Sequence, residues 1–360
     1  LTSMLAEADI RVGGDRPWDI QIHNEGLYKR VFREGTLGAG EAYLEGWWDC
    51  EQLDVLFCKA LHAHLENKVR HNLPNALVVA SQLLFNLQSV ARAPMVAEQH
   101  YNMDNAMLGP TMNYSCGYWK NAGTLDEAQR NKMELICRKL DLQEGMSVLD
   151  IGCGWGGLSL YMAREYGVKV TGVTISTEQF AYAREHDAGH LVNWLLEDYR
   201  SLKGQFDRIV SVGMFAHVGR KNYDIFMKTT KRLLKPSGLF LLHTIGNSKK
   251  KTGTDPWINK YIFPNGMLPS PVCVAKAITG RYVMEDWHNF GADYDKTLMA
   301  WHQRFEEGYA EGAFQCSERV RRMYRYYLLS CAGAFRARDI QLWQIVLSPE
   351  GVEGGYCCQR

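Results

Sequence analysis

The chain has 360 residues, of which 46% are hydrophobic and 22% charged, with a formal net charge of +1. That length is long for one core and predicts two lobes, or one large lobe with an appended one, of ordinary globular composition. The near-zero charge argues against a dedicated nucleic-acid binder, and no run approaches the roughly eighteen apolar residues of a membrane span.

Leu1 opens the chain without a methionine or a signal-like apolar stretch, which reads as a trimmed or partial sequence. Residues 1–70 mix short apolar periods with a Gly-rich turn at Gly35-Thr36-Leu37-Gly38-Ala39-Gly40, and residues 41–48 predict a helix ending in a packed turn. Ala76, Leu77, Val79, Ala80, Leu83, Leu84 and Leu87 then fall on one helical stripe, a core face or a docking face for lipid or a partner. Pro94 and the polar residues 99–105 mark a boundary. A small, mainly helical N-terminal domain is therefore expected over 1–93 and a linking, site-bearing segment over 94–124. From Leu125 onward helices and strands alternate: helix 126–140, strand 147–151, helix 158–166, strand 169–173, helix 179–186, and strands near 192–196 and 206–212. A helix over 223–234 stops at Lys235-Pro236-Ser237-Gly238, followed by a strand over 239–243 and a late one over 340–347. Repeated βα units predict an α/β domain over 125–360, a parallel, doubly wound sheet with ligand sites at the strand C-termini. Ten scattered cysteines without a C-x-x-C pair read as reduced thiols of a cytosolic protein, and no metal site is expected.

Residues 148–158, Val-Leu-Asp-Ile-Gly-Cys-Gly-Trp-Gly-Gly-Leu, are the most informative stretch. A buried strand ends near Asp150, and Gly152, Gly154, Gly156 and Gly157 crowd the turn into a helix, where the missing Cβ lets backbone meet a flat ligand. Gly152, Gly154 and Gly157 also satisfy the dinucleotide pattern G-x-G-x-x-G. A nicotinamide site, however, wants an acidic residue near the end of the second strand, and that strand ends in Thr174-Ile175-Ser176 with Glu178 only inside the next helix. Asp-x-Gly-x-Gly at the first strand end instead resembles the S-adenosylmethionine (SAM) methyltransferases, with a Rossmann-like sheet.

Further segments carry a narrower resemblance: Tyr114-Ser115-Cys116-Gly117-Tyr118-Trp119, Gly172–Ser176, Asp198-Tyr199-Arg200, Phe206–Phe215, His243-Thr244-Ile245-Gly246, Trp257–Gly266, Asp286–Tyr294 and Cys331–Arg336. From about Val31 to Val346 the chain resembles the cyclopropane-fatty-acyl-phospholipid synthases of the mycolic acid cyclopropane synthase family. The resemblance implies methylene transfer from SAM across a cis double bond of unsaturated acyl chains in membrane phospholipid. An alkene is a weak nucleophile, so such chemistry is mostly positioning. The cationic adduct calls for aromatic faces, with Tyr118, Trp119, Tyr261, Phe263, Phe290 and Tyr294 as candidates. The ring-closing base implied by the resemblance is a bound bicarbonate or carbonate ion, whose pocket maps onto Cys116, His243, Ile245 and Tyr294. Cys331 falls at the family's C-terminal active-site cysteine, though a cysteine in a small-residue helix is more often core. Cofactor contacts map onto Tyr114, Ser115, Gly152, Gly154, Thr174, Ser176, Gln179, Tyr199 and Arg200. Asp150 is expected to orient the glycine loop, and Asp198 to meet the adenine or to sit in a solvated loop.

Two departures stand out. After Gly-Met-Phe the family pattern has Glu-His-Val-Gly, whereas this chain reads Ala216-His217-Val218-Gly219. Ala216 thus replaces the motif glutamate that braces the ion, and impaired catalysis with cofactor binding kept is expected. The loop His100–Ala106 is also shorter than the family's. For membrane contact, Lys249-Lys250-Lys251 and Arg319, Arg321, Arg322 and Arg325 are basic candidates for anionic headgroups. The resemblance further implies a homodimer at the cytoplasmic face of the membrane, peripherally bound. Two rivals stay open on the sequence: a SAM-dependent N-methyltransferase of a small soluble amine, and a non-catalytic protein that binds SAM or lipid.

Overall fold

The computed structural model describes residues 1–65, 104–248 and 253–360. The stripe over 76–87, the boundary at 93–94, the first residues of the short loop and Lys249–Lys251 lie outside the described residues. Two compact units emerge. One comprises Leu1–Asn86, Gly253–Gly266 and Tyr294–Ile340; the other comprises Leu87–Thr252, Met267–Asp293 and Gln341–Arg360. Two segments expected within one continuous domain over 125–360 therefore group with the N-terminal residues instead.

The second unit is built on a seven-stranded sheet: β1 (Ser147–Ile151), β2 (Lys169–Thr174), β3 (Val192–Leu196), β4 (Phe206–Val212), β5 (Leu234–Gly246), β6 (Val283–Asn289) and β7 (Gln341–Ser348). Their order is β3-β2-β1-β4-β5-β7-β6. The first five run parallel, but β7 is antiparallel to both β5 and β6. The sheet is therefore mixed, not wholly parallel as predicted. The sequence gives β6 no signature, because Val283 and Met284 are exposed and the strand is not an apolar run. The stop predicted after Leu234 ends the helix Tyr223–Leu233, yet Lys235–Gly238 are taken into β5.

The central strands read as continuous apolar runs because both of their faces are covered. Leu149, Ile209, Phe240 and Leu242 pack on one side with Phe215, Phe226 and Leu233. Their neighbours Val148, Val210 and Leu241 pack on the other with Ile136, Leu140 and Met162. The helix Leu125–Lys139 opens on a capping box, Thr124 accepting from the Glu127 N–H and Glu127 reaching back. Asp207 ties the start of β4 to β1, accepting from the Ser147 N–H at 2.9 Å and hydroxyl at 2.6 Å.

The first unit is mainly helical, with helices Gly26–Leu44, Leu53–His62, Pro256–Tyr261, Ala292–Ala310 and Glu318–Arg336, and a small ribbon pairing Gln21–Ile22 with Trp48–Asp49. The predicted turn at residues 35–40 is a correction: those glycines lie inside a helix with one kink at Gly35 (φ 63°, ψ −139°). Gly40 is there for space, since a Cβ would lie 2.4 Å from Trp257 Cδ1. The basic stretch is likewise engaged within this unit. Arg322 lies over the Tyr43 ring at 4.1 Å and donates to the Tyr43 and Trp48 carbonyls and to Asp49; Arg321 pairs with Glu306, and Arg325 donates to the Glu51 carbonyl.

Near its N-terminus, buried Asp19 accepts from Arg16 Nε at 2.9 Å and the Arg11 N–H at 2.8 Å. The Arg16 guanidinium and these amides hold its carboxyl well below the usual range. A depressed carboxylate contributes stability that is complete above its unfolded value near 4 and drains as pH falls. Asp19→Asn should therefore lower the melting temperature at neutral pH yet flatten its fall between about pH 5 and 3, followed by circular dichroism. An unchanged acid slope would remove Asp19 from the acid response.

Candidate active site

The glycine turn that follows β1 is built by backbone constraint. Gly152, Gly154 and Gly156 have φ of 78°, 56° and 91°, a region that side chains avoid. The N–H groups of Gly152 and Cys153 both donate to the Val173 carbonyl, at 2.9 and 3.1 Å, which pins the turn to the end of β2. A Cβ on Gly156 would lie 2.6 Å from Trp194 Cη2, and one on Gly157 only 2.0 Å from the Thr111 carbonyl oxygen. A Cβ on Gly154 would meet nothing within 4 Å, so that the backbone there borders open space. Asp150 is buried and accepts from the Ser159 hydroxyl at 2.7 Å; burial pushes its carboxyl up to about 6. That placement suits a residue that orients the turn.

The next two strand ends carry the other cofactor candidates. At the end of β2 the Thr174 hydroxyl donates to Gln179 Oε1 at 2.9 Å, and Ser176 caps the helix Thr177–Glu185 by accepting from the Gln179 N–H. Glu178 accepts from the Ser176 hydroxyl inside that helix, so no acid stands at the strand end. Beyond β3, Asp198 is neither solvated nor open: it caps the turn at Tyr199–Ser201 and takes both Nε and Nη2 of Arg200. Tyr199 packs edge-on against Phe226 at 5.4 Å, with the Arg200 guanidinium 5.6 Å from its ring centroid.

Tyr114, Ser115 and Cys116 lie on a segment held from below by the helix Leu125–Lys139. Lys132, fully buried, donates to Asn113 Oδ1 at 2.8 Å and to Ser115 Oγ at 2.9 Å. Gln129 donates to the Ser115 carbonyl at 2.7 Å. Burial pulls the Lys132 ammonium down to about 7, against the opposing influence of Cys116 and Asp150. Sequence reasoning passed over both residues. The available signal was positional, since Gln129 and Lys132 fall on the helix face that also carries Leu125, Ala128, Met133 and Ile136.

His243 ends up inside the sheet on β5, 1% exposed, paired in register with Gln344 of β7. Gln344 Nε2 lies 3.3 Å from His243 Nδ1, while His243 Nε2 is buried with no hydrogen-bond partner. Burial, together with the positive charges of Lys132 and Lys139, keeps the ring well below its ordinary range and hence neutral. With the Gln344 amide turned to donate to Nδ1, the neutral ring would carry its proton on Nε2, which meets no partner among the described residues. Phe290 stands edge-on to His243 at 5.9 Å and to Tyr118 at 5.4 Å. Ile245 follows two residues on along β5. Gly213 donates to the His243 carbonyl at 2.9 Å, so the short helix Phe215–Val218 that bears Ala216 starts two residues beyond this contact. Buried Ala216 offers only a methyl group where the motif has a carboxylate.

Two of the predicted residues, Tyr294 and Cys331, belong to the other unit. There Tyr294 stacks on Phe335 at 4.5 Å. Burial pushes the Cys331 thiol up to about 12, so it stays protonated and is no thiolate nucleophile at neutral pH. In nitrogen NMR, His243 should read as a neutral Nε2–H ring between about pH 5 and 8. Gln344→Leu should erase that tautomer preference, and a ring that titrates near 6.5 would contradict the burial argument.

A family model described as mycolic acid cyclopropane synthetase matches residues 88–345. The cyclopropane-fatty-acyl-phospholipid synthase of Escherichia coli (strain K12) is 56% identical over 356 residues, covering 98% of this chain and 93% of that relative. Among solved structures, the cyclopropane synthase MmaA2 from Mycobacterium tuberculosis matches with a TM-score of 0.65 at 31% identity, covering 71% of this chain and 97% of that one. Mycolic acid cyclopropane synthase CmaA1 complexed with SAH and CTAB matches with a TM-score of 0.63 at 32% identity, over 71% and 97% of the two chains. The sheet is thus that of the Rossmann-like methyltransferases, with β7 reversed. On the family match and on identity along nearly its whole length, the chain belongs to the mycolic acid cyclopropane synthetase family.

Proposed function

We propose that this chain transfers a methylene group from SAM to the cis double bond of an unsaturated acyl chain in membrane phospholipid, closing a cyclopropane ring. One observation carries the reading: 56% identity across 98% of the chain to a relative with that name. The glycine turn fits the cofactor, because its backbone is bare where Gly154 borders open space and is fixed by Trp194 and Thr111 elsewhere. Gly152 and Gly154, with Tyr114, Ser115 and Tyr199, would hold it; Thr174, Ser176, Gln179 and Arg200 shape the adjoining turns through the bonds they make to one another and to Asp198. Bound SAM supplies an electrophilic sulfonium methyl. The chain's part is to hold the alkene in line with it. Tyr118 and Phe290, packed edge to face, would offer ring faces to the cationic carbon that forms on the lipid.

Bicarbonate or carbonate fits beside His243, whose Nε2 is buried and meets no partner among the described residues. Such an ion would supply the basic oxygen for the ring-closing proton loss. Cys116, His243 and Ile245 are the residues of this unit that would hold it. The missing carboxylate at Ala216 leaves that ion without one of its braces, so the chain is an impaired catalyst that still binds SAM. Peripheral contact with the cytoplasmic face of the membrane and a homodimer complete the proposal.

The test is mass spectrometry of lipids after incubation of this chain, and of Ala216→Glu, with SAM and unsaturated phospholipid vesicles. The carboxylate should raise cyclopropane yield by about two orders of magnitude, the usual worth of general acid–base assistance, with SAM affinity kept. Equal, full rates would show the carboxylate dispensable. If neither makes cyclopropane while both bind SAM, the lipid reading falls and a soluble acceptor takes its place.

A further inference from the structure

Lys132 is a buried amine inside the catalytic unit, on a helix face shared with Leu125, Ala128, Met133 and Ile136, and the reading above gives it no task. Its ammonium donates to Asn113 Oδ1 at 2.8 Å and Ser115 Oγ at 2.9 Å, so it bridges both sides of Tyr114. Gln129, one helical turn earlier, donates to the carbonyl of Ser115 at 2.7 Å and lies 3.4 Å from that of Asn113. Asn113 in turn donates to the Thr111 carbonyl at 2.9 Å, and that same carbonyl oxygen is the atom a Cβ on Gly157 would strike. The chain of contacts therefore runs from Lys132 through Asn113 to the backbone that closes down on the glycine turn.

A buried ammonium carries a desolvation cost that only well-placed hydrogen bonds offset. Packing alone therefore gives no reason for lysine here. The bonds it makes do, because they fix a segment that has no regular secondary structure of its own between Asn113 and Gly117. The titratable groups that act on it are Cys116 on the braced segment and Asp150 on β1, and Lys132 in turn acts on His243 of β5.

We propose that Lys132 is a positioning residue for the cofactor site, its ammonium bracing Asn113 and Ser115 so that Tyr114 and Ser115 are held against the glycine turn. The inference rests on the cofactor reading of the preceding subsection, and the experiment separates the two. Binding of S-adenosylhomocysteine is measured by calorimetry on the parent chain, Lys132→Met and Asn113→Ala, alongside the melting temperature of each without ligand. Lys132→Met should weaken binding by about tenfold to a hundredfold, the range expected for losing hydrogen bonds to one charged group. Its unliganded melting temperature should fall, because Asn113 Oδ1 and Ser115 Oγ lose their buried donor, so binding is compared where every variant is folded. Asn113→Ala should weaken binding by a smaller factor in the same direction. In the Ala216→Glu background, Lys132→Met should raise KM for SAM while leaving kcat nearly unchanged.

Binding by Lys132→Met within about twofold of the parent overturns the proposal. Should that variant fail to fold, Asn113→Ala decides by the same criterion. A parent chain that binds neither S-adenosylhomocysteine nor SAM overturns the cofactor reading and this inference together, whereas normal binding by the variants overturns this inference alone.

Discussion

Between β1 and the helix Gly157–Tyr166 the backbone passes so close to the Thr111 carbonyl and to the Trp194 ring that a methyl group at either Gly156 or Gly157 would collide. Much else in the catalytic unit answers to that approach. Trp194 can serve as a wall because its indole N–H donates to buried Asp187, which also accepts from the Leu191 and Val192 N–H groups. The same ring limits Gly172 on β2, where a Cβ would lie 2.7 Å away. Sheet, turn and covering segment thus share one geometric constraint, and the space above Gly154 is what they leave over.

Around that turn the interior is polar in an uncommon way. Lys132, Asp150 and His243 are each buried, and each is shifted toward its uncharged form by the loss of water. In a low-dielectric interior such groups influence one another strongly, which is costly for folding and useful for a site. The aromatic rings of Tyr118, His288 and Phe290 line up beside them with centroids 5.0–5.9 Å apart. Polar groups that fix geometry and rings that tolerate positive charge therefore lie side by side in one unit, a combination suited to guiding a cationic reaction without trapping it.

How much of this was legible in the sequence depends on what each residue had to satisfy locally. The strand Ser147–Ile151, its glycine turn and the helices and strands up to Val212 follow from periodicity and from glycine's freedom at positive φ, both local properties. β6 left no mark because only Asp286 of its seven residues is buried at the sheet edge. Gly38 and Gly40 resemble a turn in sequence yet sit in a helix, because a residue chosen for close packing looks the same as one chosen for conformation. The site divides along the same line. His243, Cys116 and Ala216 were found through motif resemblance, whereas Lys132, Gln129 and Gln344 were missed because their importance lies in partners 14 to 101 residues away.

The helical unit is assembled from segments far apart in the chain. Arg322 reaches the Tyr43 carbonyl across 279 residues of sequence, and Arg336 meets Asp54 across 282. The helix Glu318–Arg336 also packs so tightly on the N-terminal part that a Cβ on Gly333 would lie 2.5 Å from the Asp54 carbonyl oxygen. During synthesis the helices Gly26–Leu44 and Leu53–His62 thus leave the ribosome long before the elements that bury them. At ordinary elongation rates that interval is on the order of tens of seconds. For that time their apolar faces wait on residues 256–336, and the sheet of the catalytic unit waits longer still, because β7 (Gln341–Ser348) follows them in the chain.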